Sequence, residues 1–131
     1  MKYIVFIVLF LQTIFIQAQE EPETCNNLPY VNIDKTAILK SKLSDQVEKE
    51  LPTSLEDGEH QATFKIYITC KGEVENQMYR DGNLSDGNQE WLMDIIEDTK
   101  WQAAVKDDVY VTSNVFLDLL IKDGKVNLTI R

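Results

Sequence analysis

Histidine is almost missing from this chain: His60 is the only one in 131 residues. Two histidines cannot meet to hold zinc, and no histidine-assisted nucleophile can be assembled except around that one side chain. His60 sits in the connection "EDGEH", where a lone imidazole among acids is ordinarily solvated rather than catalytic or bound to metal with Glu56, Asp57 and Glu59. Proline is scarce too. Pro22, Pro29 and Pro52 are the whole set, so the sequence contains no proline-rich, semi-rigid stretch. The two cysteines, Cys25 and Cys70, are too far apart for a C-x-x-C motif, and the sequence has neither G-x-S-x-G nor a glycine-rich phosphate loop. Positive charge is also short, with 13 Lys and Arg against 22 Asp and Glu. A surface that acidic repels phosphate backbones and anionic lipid, which argues against nucleic-acid binding and peripheral membrane attachment and points to solubility.

One long apolar run is present, at the start. "MKYIVFIVLFLQTIFIQAQ" carries Lys2, an apolar stretch from Tyr3 to Ile16 interrupted by Gln12 and Thr13, and small or polar residues at its end. That is the build of a cleaved secretory signal over residues 1–19, and the run is shorter than the roughly 20 apolar residues that cross a bilayer. Its removal takes the formal charge from −9 to −10, because the segment holds Lys2 and no acid. A mature chain of about 112 residues has room for one modest core and is expected to be soluble, not inserted in the membrane. Export usually permits disulfides, so Cys25 and Cys70 can form one bridge. Cys25 lies too far beyond the apolar run for the lipid attachment of a bacterial lipoprotein. A buried thiol at Cys70 is the alternative, because that residue shares the apolar face of a strand.

Residues 20–33, "EEPETCNNLPYVNI", show no helical period and two prolines, and are expected to be a partly ordered leader. From Asp34 the pattern changes. Leu39, Leu43, Val47 and Leu51 recur every four residues, which predicts an amphipathic helix over 34–51 capped by Asp34 and stopped by Pro52. Strict alternation follows, with Ala62, Phe64, Ile66, Ile68 and Cys70 on one side and Thr63, Lys65, Tyr67 and Thr69 on the other. "KG" at Lys71 and Gly72 turns that strand into a second, more polar one, "EVENQMYR". The next helix puts Trp91, Leu92, Ile95 and Ile96 on one side, and its start is placed at Asp86, three residues before Gln89 in a capping-box arrangement. A long alternating strand from Val109 to Ile121 is predicted last, with "KDG" turning into a short final strand. Helices covering one face of hairpin-joined strands make an α+β two-layer sandwich, a small mostly antiparallel sheet with two helices on one face, over residues 34–131.

Other chemistry is thin. In "DGNLSDGNQEWL", Asp81, Asn83 and Ser85 alternate as EF-hand ligands do, but position six is Asp86 instead of Gly and position twelve is Leu92 instead of Glu, so a turn and a helix cap explain the loop without calcium. Asp107 and Asp108 are adjacent on a turn, where both are solvated. Asn83 and Asn127 are glycosylation acceptors only in a eukaryotic secretory pathway. No cofactor or metal is called for, and enzymatic activity is the poorer hypothesis.

The strand "ATFKIYITCKGEVENQMY", the helix "QEWLMDIIEDT", Trp101 and the strand "VYVTSNVFLDLLI" together resemble the TonB C-terminal domain family, in particular its periplasmic members in Bacteroidetes. That family has a hairpin, a helix, a "W-x-P-a" segment, a "G-x-x-V" turn and a long strand. Here Ala103 stands at the proline, and Asp107 or Asp108 stands at the turn glycine. The resemblance covers residues 34 to about 126. It implies that Trp101 is a core residue where helix meets sheet, alongside Phe64, Ile66, Ile68, Leu92, Ile95 and Ile96. It also implies a way of binding, in which an extended peptide, in that family a segment of an outer-membrane transporter, adds to an exposed strand edge. The long strand from Val109 is taken as that edge, with Tyr110, Thr112, Asn114 and Phe116 setting side-chain preference. Without an anchor or spacer the chain is not the force-carrying transducer. The expected function is a periplasmic or secreted, non-enzymatic module that binds a protein or peptide. Alternatives are a homodimer formed through the same edge, or a small secreted inhibitor or enzyme on the same fold.

Overall fold

Leu39, Leu43, Val47 and Leu51 keep their four-residue spacing, yet only part of that stretch is helical. The computed structural model describes residues 28–131. There Ile38–Leu39 is a short strand, β1, and the first helix, α1, is confined to Leu43–Lys49, which corrects the helix expected over 34–51. The cause is a competing backbone partner. Asp34 and Lys35 donate their N–H groups to the Val105 carbonyl at 2.7 and 3.1 Å, Val105 returns one to Lys35 at 2.9 Å, and Lys40 donates to Lys100 at 2.7 Å. Extended pairing satisfies donors that a first helical turn leaves orphaned. Asp34 therefore caps no helix; its Oδ2 accepts from the Asp107 N–H at 2.8 Å. Leu43 and Val47 are buried from α1, while Leu39 and Leu51 pack against the core from outside the helix.

A 3-10 turn at Thr53–Leu55 leads into β2 (Glu59–Ile68) and β3 (Val74–Gly82), then helix α2 (Asp86–Glu97). Five strands follow: β4 (Trp101–Gln102), β5 (Ala104–Lys106), β6 (Val109–Val111), β7 (Ser113–Lys122) and β8 (Lys125–Ile130). The main sheet has the order β3-β2-β7-β8 and is antiparallel throughout, with two small ribbons, β1-β4 and β5-β6, beside it. Both helices pack on one face of the sheet, so the fold is an α+β sandwich of two layers.

Alternation builds the core. Ala62, Phe64, Ile66 and Ile68 of β2 and Val115, Leu117, Leu119 and Ile121 of β7 are buried on the helix side, where Leu92, Ile95 and Ile96 of α2 meet them. Phe64 stands edge-on to Tyr79 with ring centroids 5.5 Å apart. The α2 cap is Ser85, whose Oγ accepts from the Asn88 N–H at 3.3 Å, and the Gln89 side-chain amide donates to the Leu84 carbonyl at 2.9 Å. Trp101 is 5% exposed and belongs to the same core. Its indole Nε1–H donates to Thr99 Oγ1 at 2.8 Å, and that hydroxyl donates to the Ile96 carbonyl at 2.6 Å.

The expected single strand from Val109 to Ile121 is two strands. Val109–Val111 pairs with β5 and Ser113 onward pairs with β2, so Thr112 is where the chain leaves a ribbon and enters the sheet. Val109 is exposed on β6, whereas Val111 two residues on is buried. Two tight turns serve this region. Asp123 and Gly124, at φ 48 and 83, link β7 to β8, and Asp107 and Asp108, at φ 52 and 67, link β5 to β6. Positive φ at both central positions is the type I′ hairpin, which suits Gly at the second place far better than Asp. Asp108→Gly should therefore raise stability by roughly 0.5–1 kcal/mol, seen as a higher denaturation midpoint with an unchanged m value.

Candidate functional site at the open edges of the sheet

The strand expected to be the open edge is not one. β7 lies between β2 and β8, with Asn114 opposite Tyr67 and Phe116 opposite Lys65 on one side, and on the other Phe116 exchanges both backbone hydrogen bonds with Arg131 at 2.8 and 3.0 Å. The four residues assigned to it separate accordingly. Tyr110 is 55% exposed but belongs to the β5-β6 ribbon. Thr112 is buried and its carbonyl accepts from the Tyr30 N–H at 3.0 Å. Asn114 and Phe116 lie on the outer, helix-free face of the sheet, and Phe116 sits beneath the Arg131 guanidinium at 5.1 Å. In a sheet covered on one side, a central strand alternates as an edge strand does.

That outer face mixes polar and aromatic side chains, several of them paired with one another. Asp118 accepts from Thr63 Oγ1 at 2.6 Å and from Arg131 Nε at 2.6 Å. The Arg131 guanidinium holds the Asp118 carboxyl below its ordinary range, partly offset by desolvation, and the Thr63 hydroxyl adds to the lowering. Lys65 lies over the Tyr67 ring at 5.4 Å.

Among the described residues, the sheet's two edges are β3 and β8. β3 meets β2 through two register shifts, between Thr63 and Phe64 and between Tyr67 and Ile68. Such bulges twist and protect an edge. β8 meets β7 without a shift from Lys125 to Ile130. Antiparallel strands alternate the sides to which residues turn their backbone groups, and Arg131 faces β7, so Val126, Leu128 and Ile130 face outward. The Val126 N–H is taken by Glu48 Oε2 of α1 at 3.0 Å. Those of Leu128 and Ile130 have no partner among the described residues. Beside Leu128 lies a groove between β8 and the start of α1, lined by Leu39, Ser41, Lys42, Leu43, Ser44 and Asp45.

Elsewhere several polar groups are engaged locally, whereas the side-chain oxygens of Thr112, Ser113 and Asn114 are buried without a hydrogen-bond partner among the described residues. His60 Nε2 lies 2.9 Å from the Asp57 carbonyl oxygen. Asn83 Oδ1 accepts from the Gln61 N–H at 2.8 Å and Ser85 caps α2, so two of the three alternating residues of the calcium-like loop serve the strand end and the helix. Among the described residues no cluster of His, Cys, Asp and Glu is placed to hold a metal ion, and no helix is long and apolar enough to cross a membrane. Cys70 is disulfide-bonded, and the chain's other cysteine, Cys25, lies outside the described residues, as does the expected signal segment. Sequence reasoning missed Leu128, Ile130 and Glu48. The "KDG" turn announces the strand that carries the first two but not its place at the sheet's edge; Glu48 carries no local signal. No protein-family model, curated protein or solved structure matches this chain.

Proposed function

We propose that this is a non-enzymatic, exported protein-binding module that takes an extended peptide segment by strand addition, and that β8 rather than β7 receives it. The carrying observation is the regular β8 edge, whose Leu128 and Ile130 backbone groups face outward in series. The order of hairpin, helix, Trp101 and strand supports the resemblance to TonB C-terminal domains. That resemblance in turn suggests a periplasmic setting and the N-terminal segment of an outer-membrane transporter as partner. The N-terminal apolar run supports export, and the acidic surface suits a soluble protein.

The test is a titration of the purified chain with the extended N-terminal segment of a TonB-dependent transporter, followed by amide exchange. Leu128 and Ile130 should become protected. Ile130→Pro removes one outward donor while sparing the β7 ladder, because proline is tolerated on a strand edge whose N–H faces solvent. It should abolish binding with the domain still folded. Protection appearing on β3 instead, or binding indifferent to Ile130→Pro, would sink the reading.

A further inference from the structure

We propose that the outer face of the sheet holds a binding site for a neutral saccharide, which seats a single six-membered ring in a cavity of about 290 Å³ across β3, β2, β7 and β8. The site makes no use of the open β8 edge, so it stands apart from the strand-addition reading.

Register brings the lining together. Residues directly opposite one another across an antiparallel pair project to the same face. Thr63 is opposite Asp81 on one side and Asp118 on the other, and Asp118 is opposite Thr129, which makes one polar row across all four strands. Two residues along, Gln61 is opposite Leu120 and Leu120 is opposite Asn127, which makes a second row. All seven line the cavity. Ala62 and Leu119, which alternate with them, turn into the core, so the cavity lies on the helix-free side. Its volume is near the lower end of the roughly 300–1,000 Å³ of small-molecule sites, which suits one ring better than a chain. Further along the strands the face is already occupied, with the Arg131 guanidinium 5.1 Å from the centre of the Phe116 ring.

The chemistry of the lining selects the ligand. Thr63 and Arg131 are both committed to Asp118. The side chains of Gln61, Asp81, Asn127 and Thr129 are exposed and have no hydrogen-bond partner among the described residues, so in the free protein they face water. Amides and hydroxyls each donate and accept, whereas a carboxylate only accepts. Sugar hydroxyls do both, so neighbouring hydroxyls of one ring can donate to Asp81 and accept from Gln61, Asn127 or Thr129. An anion would meet two carboxylates, and the guanidinium beside them is already on Asp118. A simple cation could use the carboxylates but would leave the donors of Gln61, Asn127 and Thr129 unmatched. Leu120, half-buried between Gln61 and Asn127, gives the C–H groups of a sugar ring an apolar surface to cover.

The test is a titration of the purified chain with the methyl glycosides of glucose, galactose, mannose and N-acetylglucosamine, followed by the side-chain amide resonances of Gln61 and Asn127. Putrescine and inorganic phosphate are the charged comparators. At least one glycoside should shift both amides saturably, and neither charged probe should. Asp81→Ala and Asn127→Ala should each weaken that glycoside about tenfold, the loss of one or two hydrogen bonds. Their urea midpoints should stay put, because both side chains are exposed and unpaired in the fold. Glu75→Ala, on β3 outside the cavity, should bind as the unmodified chain does. No saturable shift with any of the four glycosides overturns the site, and so does a shift with putrescine or phosphate alone. A glycoside bound undiminished by Asp81→Ala and Asn127→Ala sits elsewhere, and the proposal fails. Ile130→Pro should leave glycoside binding intact, so failure of this site and failure of strand addition are read separately.

Discussion

Gly72→Ala should cost roughly 2–4 kcal/mol, a large part of the stability of a domain this size. Gly72 occupies the turn between β2 and β3 at φ 79, and a Cβ there would collide with the carbonyl oxygen of Trp101. The obstacle is backbone, so no side chain can rotate out of the way. Its displacement is also blocked: the Trp101 N–H donates to the Gly72 carbonyl at 3.1 Å, Leu39 pairs with Trp101 on β1, and the indole is buried behind. The Gly72 N–H donates to the Thr69 carbonyl at 2.8 Å, which pins the turn from its other end. Gly124→Ala separates the two contributions. That glycine has a similar φ of 83, but an added Cβ would have only the Glu56 carbonyl oxygen near it, at 3.8 Å. It should lose only the conformational part, about 1 kcal/mol. Urea unfolding of both variants is the measurement, and equal losses would refute the collision.

Gly72 also shows what local pattern can and cannot say. "KG" after an alternating strand announces a hairpin turn, and the hairpin is there. The approach of Trp101 to that glycine joins residues 29 positions apart, and nothing within either segment announces it. Burial was legible in the same uneven way. Period-two alternation in residues 62–68 and the apolar side of α2 identify core residues because a sheet covered on one face must sort side chains by parity. Strand order was not legible, since outward residues such as Asn114, Phe116 and Asp118 are polar or half-buried whether a strand is central or at the edge. The stretch from Asp34 to Lys40 failed for another reason. Its four-residue apolar spacing is compatible with a helix, and only the Lys35 to Val105 and Leu39 to Trp101 pairings decide against it. Glu48 was invisible because a charge on a short amphipathic helix reads as solvated until Val126 is seen beside it.

Trp101→Ala should be comparably severe, at about 3–5 kcal/mol, because it removes the largest side chain at the point where α2, β1 and the β2-β3 turn converge. The indole fills that junction and also closes a hydrogen-bonded chain that ends on α2. Ile96 gives its carbonyl to the Thr99 hydroxyl, and Thr99 Oγ1 accepts the Trp101 Nε1–H, all of it buried. Two conservative variants test the polar part. Thr99→Val keeps the volume but leaves the indole N–H buried without an acceptor, at a cost of about 1–3 kcal/mol. In a Trp101→Phe background the same substitution strands no donor, so it should cost less, and the difference between the two costs is the coupling energy of the pair. Chemical denaturation of the four proteins in that cycle gives it directly. A coupling near zero would mean that the indole N–H finds another acceptor, and Trp101 would then act through volume alone. A loss below 1 kcal/mol for Trp101→Ala would remove Trp101 from the core altogether and leave the close approach at Gly72 without a packing reason.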